Sequence, residues 1–218
     1  NVVTFGTWQD EPLEWGVLAQ EGSRRLLISR ESVARKAFND EFDITYWETA
    51  SLRRWLNDDF YMDAFSKAER AKIMETQVVN ADNAMYRTDS GNDTVDRIFL
   101  LSIAEAEIYR SVCMDWFKSA DCSFWLRSPG CSRIDAAHVT MGGGIDEMGT
   151  NIDWNADVRP VMWIDILDMA EKYPDRFIPF CNIDPRALTN SPFAPLDEVL
   201  QYYKDRGCKG LGEVMPNM

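Results

Sequence analysis

The apolar residues in the first third of the chain follow an alternating spacing and then a helical one. Apolar positions around Val17 and Leu27 flank the polar turn Glu21-Gly22-Ser23, and this pattern predicts a β-hairpin. After Thr49, four apolar residues share one helical face and predict a short helix: Leu52, Trp55, Leu56 and Phe60.

Two later sites have the spacing of a helix capping box. Ser66 is followed three residues on by Glu69, and Ser102 is followed in the same way by Glu105. In a capping box the serine and the glutamate each satisfy a backbone N–H group at the start of a helix. We therefore expect short helices to begin at both serines.

Short strand-like segments separated by Gly, Asp and Asn turns follow Ser123. Such neighbours along the chain commonly pair as hairpins, so they predict a small antiparallel sheet. Residues 75–80 and 97–102 also have the apolar content of strands. The first part is therefore predicted to be α+β, an antiparallel sheet with flanking short helices. The segments after Ser123 are 124–127, 138–141, 149–152 and 158–164.

The order of the predicted elements changes near residue 166. The order there is that of a βαβ unit, in which a crossover helix joins parallel strands. We therefore expect two domains, residues 1–165 and residues 166–218. The elements predicted in the second are a helix over 166–173, a strand over 177–183, a helix over 196–206 and a strand over 210–214.

The charge of the chain restricts its partners. The 218 residues include 23 Lys and Arg against 36 Asp and Glu, a net charge of -13, and 45% are hydrophobic. This is enough apolar material for a core, but the field repels nucleic acid and anionic lipid. No apolar run approaches the roughly 20 residues of a spanning helix, so we expect no membrane insertion. Because the chain begins at Asn1, with neither an initiator Met nor a signal peptide, we expect it to start within a longer protein.

The five cysteines lack the spacing of a metal or redox motif. No two of them form a CxxC pair, and their number is odd. We expect buried free thiols, and a disulfide between two of the first three in an oxidising compartment stays an alternative. The cysteines are Cys113, Cys122, Cys131, Cys181 and Cys208.

One histidine is too few for a hydrolytic metal centre. Such a centre needs several ligands around one ion and an open coordination position. His138, the single histidine, lies in a strand-like segment, and we expect it to be a structural strand residue. No catalytic residue is assigned, and we expect no complete active site in this chain.

Five motifs in the first part resemble an uncharacterised family of bacterial domains. They occur in order along residues 1–165 as Phe5-Gly6 with PLEW at 12–15, YWETASLRRWLN at 46–57, FLLS at 99–102 with Glu105, WLRSPG at 125–130, and VRP at 158–160. Domains of this family occur in secreted, surface or phage-borne proteins of gut and anaerobic bacteria. The resemblance implies a bacterial, secreted or surface-associated protein and carries no assigned activity.

The last of these motifs are also similar to the final strands of C-type-lectin-like domains. The similarity lies in WLRS at 125–128, Ala137, Val139 and VRP at 158–160. It implies a twisted antiparallel sheet with flanking helices and a variable loop surface used for binding.

The second part resembles metal-dependent amidohydrolases with a TIM-like barrel. The similar segments are AEKYPDRFIPFCNIDPR at 170–186, residues 196–206 and GCKGLGEV at 207–214, which together make one βα unit and the next strand. The resemblance implies a partial βαβ fragment of a TIM-like barrel, with Glu213 at the rim of the barrel. The His-x-His pair and the other metal ligands of such enzymes are missing from these residues.

Four residues are our candidates for ligand binding: Trp154, Asn155, Asp157 and Arg127. Trp154 lies in a polar loop, where an indole ring provides a surface for sugars or peptides, although a structural role is equally compatible with the pattern. The five tryptophans on apolar faces are expected in the core instead: Trp8, Trp15, Trp47, Trp55 and Trp125.

Arg127 has a second interpretation. We expect the guanidinium groups of Arg127 and Arg159 to be buried or partly buried, satisfying loop carbonyls or carboxylates.

Calcium is the one cofactor that the acidic loop residues suggest. Its oxygen ligands would come from Asp146, Glu147, Asp153, Asn155 and Asp157, and solvated loop acids are the alternative that we prefer. Residues 154–157 resemble the Trp-Asn-Asp calcium strand of lectins with an additional Ala.

Three functional hypotheses follow. The first is a non-catalytic recognition module that presents loops to a protein or glycan ligand. The second is a fragment of a metal-dependent amidohydrolase that carries this domain as a fusion or insertion, with its metal ligands outside the chain. The third is that two unrelated reading frames were joined near residue 166.

Overall fold

The computed structural model describes residues 2–112, 117, 123–165, 180–181, 201, 204 and 210–211. Its contacts divide the chain into two units, one of Asn1–Leu18 with Leu26–Trp163 and one of Ala19–Arg25 with Ile164–Met218.

A four-stranded sheet contains the N-terminal hairpin that the sequence predicts. Its order is β1-β2-β3-β11, with β1 at Val2–Trp8, β2 at Glu11–Glu21, β3 at Arg24–Ser29 and β11 at Val161–Asp165. A two-residue turn joins β1 to β2, with Gln9 at φ 52° and Asp10 at φ 67°. Positive φ at both central residues is typical of the tightest hairpin turns, in which the twist of the turn matches that of the strands.

The predicted helix after Thr49 is confirmed as a continuous helical segment. A 3₁₀ turn at Trp47–Thr49 precedes α1 at Ser51–Trp55, a π-helical turn at Leu56–Phe60 and α2 at Tyr61–Ala64. Leu52, Leu56 and Phe60 are fully buried, as their shared helical face predicts.

Both predicted capping boxes are confirmed, and each starts a helix. α3 at Lys67–Arg70 follows Ser66, whose backbone N–H donates to Glu69 at 2.8 Å while its hydroxyl accepts from the Glu69 N–H at 3.3 Å. α4 at Ile103–Val112 follows Ser102, which makes the same pair of bonds with Glu105 at 2.8 and 3.2 Å.

One pair of strands in the five-stranded sheet corrects the sequence prediction. β10 and β7 are parallel, with Asp157 opposite Phe124, whereas a purely antiparallel sheet was expected. β9 lies at the far edge of the sheet, and β10, the next strand along the chain, lies between β4 and β7. β10 therefore does not pair with β9 as a hairpin. The order is β4-β10-β7-β8-β9, with β4 at Ala34–Ala37, β7 at Phe124–Pro129, β8 at Asp135–Val139, β9 at Ile145–Asn151 and β10 at Asn155–Val158.

The predicted strand over residues 158–164 is in fact two strands in two sheets. β10 ends at Val158 in the five-stranded sheet, and β11 begins at Val161 in the four-stranded sheet. Arg159 and Pro160 lie between them. Proline has no N–H group to donate to a ladder, so it suits the point at which the chain leaves one sheet for the other.

The predicted strand over residues 97–102 is wrong. The short pair in this region joins β5 at Thr76–Val78 to β6 at Thr94–Asp96, and the segment after β6 is not a strand. It makes an isolated bridge from Phe99 to Val161 and accepts one backbone hydrogen bond, from Arg127 N to Leu101 O. The side chain of Asn57 takes the place of a partner strand. Its Oδ1 accepts from the N–H groups of residues 97 and 98, and its Nδ2 donates to the carbonyl of Ile98 at 2.8 Å. The apolar run over residues 98–101 therefore reflects continuous burial and not strand pairing.

Of the second unit's C-terminal part, only a few residues are described. β12 at Phe180–Cys181 pairs in parallel with β13 at Gly210–Leu211, and Gln201 and Lys204 are helical. The parallel pair agrees with the predicted βαβ order. The predicted helix over 166–173, most of the other predicted elements of this unit, and Glu213 lie outside the described residues.

Candidate functional site

Arg127 lies in the interior, and all five of its N–H groups have acceptors inside the protein. The Nη1 group donates to the carbonyl of Leu100 at 2.6 Å and to Glu105, and Nη2 donates to the other oxygen of Glu105 at 3.0 Å. Nη2 also donates to Val79 O at 3.0 Å, and Nε to Asn80 Oδ1 at 3.1 Å. The residue is 4% exposed. This bears out the architectural interpretation, and Arg127 has no N–H group left for a ligand.

Arg159 has a comparable role at the point where the chain changes sheets. Its Nε and Nη2 atoms both donate to the carbonyl of Ser29, at 3.0 and 2.7 Å, and its guanidinium lies over the ring of Phe124. Burial lowers the pKa of Arg159 to about 10, and the nearby carboxylates of Glu31 and Asp157 oppose that shift. The residue is therefore a buried cation, as expected.

The tryptophans expected in the core divide into two groups. Trp15, Trp47 and Trp125 are buried, which confirms the prediction, whereas Trp8 and Trp55 are half-buried. Each buried indole N–H has an acceptor: Trp15 donates to Phe5 O at 2.7 Å, Trp47 to Asp96 Oδ2 at 3.0 Å and Trp125 to Lys36 O at 2.9 Å.

Trp154 is 61% exposed, in the turn between β9 and β10. Its neighbours are held by backbone hydrogen bonds that bring three loops together. The bonds are Asn39 N to Ile152 O at 3.0 Å, Ile152 N to Ile134 O at 3.1 Å, and Thr45 N to Arg133 O at 2.9 Å. We call residues 39–45, 132–134 and 151–154 the loop platform.

The platform presents two further exposed apolar side chains. Phe42 is 53% exposed and Ile44 is 57% exposed. Their loop is fixed to the start of α1, because Asp40 N donates to Ser51 Oγ at 2.9 Å and Ser51 N donates to Asn39 Oδ1 at 3.0 Å. Large apolar side chains on a loop tied to a helix in this way are a prepared contact surface.

The rim of the platform is polar and mainly acidic. A cavity of about 320 Å³ opens beside Ile44, and Asp40, Glu41 and Asp43 line it together with Arg54. Apolar side chains inside a charged rim are the usual composition of a recognition surface.

Asn155 and Asp157, the other two candidates, lie on β10 directly after Trp154. Asn155 is exposed and Asp157 is half-buried, and the alternation of a strand places both on one face. Their strand is paired on both sides, with β4 and with β7. Of the four residues selected from the sequence, Trp154, Asn155 and Asp157 are therefore neighbours at the start of β10, whereas Arg127 is buried on the adjacent strand β7.

His138 lies between Trp125 and Asp146 in the five-stranded sheet. Its Nε2 is 3.8 Å from Asp146 Oδ2, and its Nδ1 has no hydrogen-bond partner in the described part of the chain. Burial lowers the pKa of His138, and the Asp146 carboxylate partly opposes this. Asp146 itself accepts from the N–H groups of residues 148 and 149, so it stabilises its own turn.

The described residues contain no group of three or more His, Cys, Asp or Glu side chains arranged to hold a metal ion. That the acidic residues near Trp154 are solvated loop acids, with calcium binding as the alternative, stays a prediction. Within the same residues, no helix has both the length and the apolar character to cross a bilayer.

Cys131 is a free thiol, as expected, but it is exposed where a buried thiol was predicted. It lies in the segment between β7 and β8. The side chains of the other four cysteines lie outside what the structure describes.

Sequence reasoning missed Phe42 and Ile44. Both stand among acidic residues in the segment DEFDITY at 40–46, with neither helical nor strand periodicity. An aromatic and a branched aliphatic residue within an acidic loop was the signal that could have identified them.

The model of one protein family, described as a domain of unknown function (DUF6273), matches residues 23–166. Neither the curated proteins nor the solved structures compared with the chain include a match.

Proposed function

The chain belongs to the DUF6273 family of domains of unknown function, and on that premise we propose that it is a non-catalytic recognition module that binds a protein or glycan ligand on the loop platform. The observation that carries the proposal is the exposure of Trp154, Phe42 and Ile44 on loops that are tied to one another and to α1. Leaving these side chains in water forgoes their burial, which is worth about 1.5–3 kcal/mol for each when complete.

A protein ligand fits the platform better than a glycan. Sugars stack on aromatic rings, whereas the branched side chain of Ile44 offers them no flat surface. The acidic rim of Asp40, Glu41 and Asp43 complements basic residues on a partner, and the net charge of -13 would speed its approach. The similarity to C-type-lectin-like domains supports the use of loops for binding, and we propose that relationship on the sequence motifs alone.

Peptide and glycan arrays probed with the full chain test this proposal. We expect basic, apolar-rich peptides to be retained, and Trp154→Ala to weaken the best of them by roughly thirtyfold, the loss that a central interface residue of about 2 kcal/mol produces. Phe42→Ala should weaken the same peptides.

Met85→Ala is the matched control, because Met85 is 64% exposed on a loop outside the platform. Retention that is equal for wild type, Trp154→Ala and Met85→Ala would contradict the proposal. If glycans instead of peptides are retained, and Trp154→Ala loses them, the loop platform stands as the binding surface and its ligand is a glycan.

A second candidate function is that the chain is a fragment of a metal-dependent amidohydrolase. The parallel pairing of β12 with β13 supports it, because βα units of a barrel pair their strands in parallel. The coding sequence on both sides of this segment provides the test. A His-x-His pair upstream and further histidines downstream would favour the enzyme, and a stop codon soon after Met218 would oppose it.

A further inference from the structure

The loop over residues 83–88 is held closed by its first residue, Asn83. The side-chain Oδ1 of Asn83 accepts from the N–H groups of Met85 at 3.0 Å and Tyr86 at 3.1 Å. Its backbone completes the closure, since its N–H donates to Thr88 O at 3.0 Å and its carbonyl accepts from Arg87 N at 2.7 Å. The N–H groups of residues 85–87 are therefore satisfied inside the loop, and the loop is formed before any partner binds.

The same side chain ties the loop to the five-stranded sheet. Its Nδ2 donates to three main-chain carbonyls, those of Pro129 at 2.9 Å, Gly130 at 3.3 Å and Glu147 at 2.8 Å. Pro129 is the last residue of β7, and Glu147 lies on β9. Asn83 is 1% exposed and Thr88 is buried as well, so both ends of the loop are fixed in the protein.

The four residues between these buried ends are all exposed. Met85 is 64% exposed and Tyr86 is 36% exposed, and Ala84 and Arg87 are exposed too. We call Met85, Tyr86 and Arg87 the loop tip. Methionine, tyrosine and arginine are enriched in protein interfaces, and tyrosine and arginine often dominate the binding energy there.

Arg87 has a backbone conformation that suits glycine better than arginine. Its φ of 59° lies in the left-handed region, which glycine enters without steric cost and other residues enter rarely. Its guanidinium forms no hydrogen bond or ion pair with any other residue that the structure describes. The turn needs a left-handed residue at position 87, and the described fold makes no use of the guanidinium.

The carboxylates nearest to Arg87 in the sequence are occupied by other groups. Asp82 accepts from the N–H and the hydroxyl of Ser90, at 3.0 and 3.2 Å. Asp89 lies 3.9 Å from the guanidinium of Arg133. Arg87 is therefore an unpaired cation at the end of a fixed loop, and its complement is a carboxylate supplied from outside, which a guanidinium can bind through two parallel hydrogen bonds.

We propose that the loop tip binds a protein partner that presents a carboxylate beside an apolar recess. The carboxylate pairs with Arg87, and the recess receives the side chains of Tyr86 and Met85. Because the loop is already closed and anchored, binding orders only these side chains. This partner differs from the one proposed for the loop platform, whose acidic rim complements basic residues, so the chain carries two recognition surfaces of opposite charge preference.

Peptide arrays probed with the full chain test the proposal. The peptides of one set combine Asp or Glu with Leu and Phe, and a second set replaces each Asp by Asn and each Glu by Gln. Salt of about 0.15 M limits electrostatic interactions to roughly 8 Å, so the net charge of the chain does not decide the result. We expect the acidic set to be retained and the amide set to be lost, and fluorescence anisotropy of the best acidic peptide then gives its Kd.

Two substitutions in the loop tip should weaken that peptide. Arg87→Gln should weaken it about tenfold, the loss of one charge-assisted hydrogen bond, and Tyr86→Ala roughly thirtyfold, the loss of a central interface residue. Arg54→Gln is the matched control and should bind as wild type does, because Arg54 is another exposed arginine without an ion pair in the described part of the chain.

Arg87→Gly separates recognition from folding. Glycine adopts the left-handed conformation freely, so this variant should keep the urea midpoint of the wild type and still lose the acidic peptide as Arg87→Gln does. A clearly lower midpoint would make Arg87 a structural residue and would overturn the proposal.

No retention of the acidic set, equal retention of the two sets, or wild-type affinity in both Arg87→Gln and Tyr86→Ala would also overturn it. Trp154→Ala should leave the acidic peptides unchanged, and Arg87→Gln should leave the basic peptides of the loop platform unchanged. The two surfaces therefore stand or fail separately.

Discussion

Replacing Arg127 with methionine tests the architectural role of this residue. The variant keeps most of the side-chain volume and removes all five N–H donors. It removes the Arg127 donors from the Leu100 carbonyl and from the carboxylate of Glu105, which keeps the Ser102 N–H. If Arg127 instead served a ligand, the fold should tolerate the change.

The expected loss of stability follows from the burial of the two partners. The side chain of Arg127 is 3% exposed and that of Glu105 is 34% exposed. Removing one partner of a buried ion pair costs 3–5 kcal/mol, and water can reach Glu105 in part, so we expect about 3 kcal/mol, at the lower end of that range. The carbonyl of Leu100 contributes to this loss, because Leu100 is fully buried.

Urea unfolding followed by tryptophan fluorescence measures the effect. With a slope of about 2–3 kcal/mol per molar urea, the midpoint should fall by roughly 1–1.5 M. Arg54→Met is the matched control, since Arg54 is exposed and should change stability by less than about 0.5 kcal/mol. The double variant Arg127→Met with Glu105→Gln should lose less than the sum of its single variants, because the two residues are in contact. A loss for Arg127→Met as small as that of the Arg54 control would refute the reasoning.

Three further predictions concern other parts of the fold. His138 is the only histidine, so its imidazole proton signal in NMR reports one pKa, which we expect below 6.5 because burial disfavours the charged ring. Since the pKa of His138 is lower in the folded than in the unfolded protein, the wild type should lose stability as the pH falls below about 6.5, and His138→Gln should remove that loss. An NMR titration midpoint of His138 at or above about 6.5 would contradict this. Ser102→Ala should cost about 1 kcal/mol in urea unfolding by removing a helix cap, and a loss near zero would show that the cap contributes nothing. Trp154→Ala should change stability by less than about 0.5 kcal/mol, and a loss of several kcal/mol would place the ring in a structural role.

Local sequence signals predicted the parts of the fold that local physics decides. The hairpin turn at residues 21–23, the helical face of Leu52 and Leu56, and the two serine caps depend on neighbours within a few residues, so their spacing was sufficient. The burial of Arg127 and Arg159 was predictable as well, because guanidinium groups within apolar strands need acceptors.

The errors arose where distant segments meet. Periodicity cannot show that Asn57 satisfies the backbone of residues 97 and 98, nor that the segment over residues 158–164 changes sheets at Pro160. The parallel placement of β10 beside β7 depends on the path of the chain rather than on its composition. Of the loop platform, the sequence predicted only Trp154. The hydrogen bonds that bring residues 39–45 beside it join main-chain atoms and leave no pattern in the sequence.

The hydrogen bond from Arg159 to Ser29 joins positions 130 residues apart, one early and one late in the first unit. During synthesis the hairpin leaves the ribosome long before the residues that will cover it, and topologies dominated by such distant pairings fold slowly. The early strands must therefore remain protected from aggregation until these residues are synthesised. A chain terminated before Val158 would leave them permanently as an unpaired edge open to aggregation.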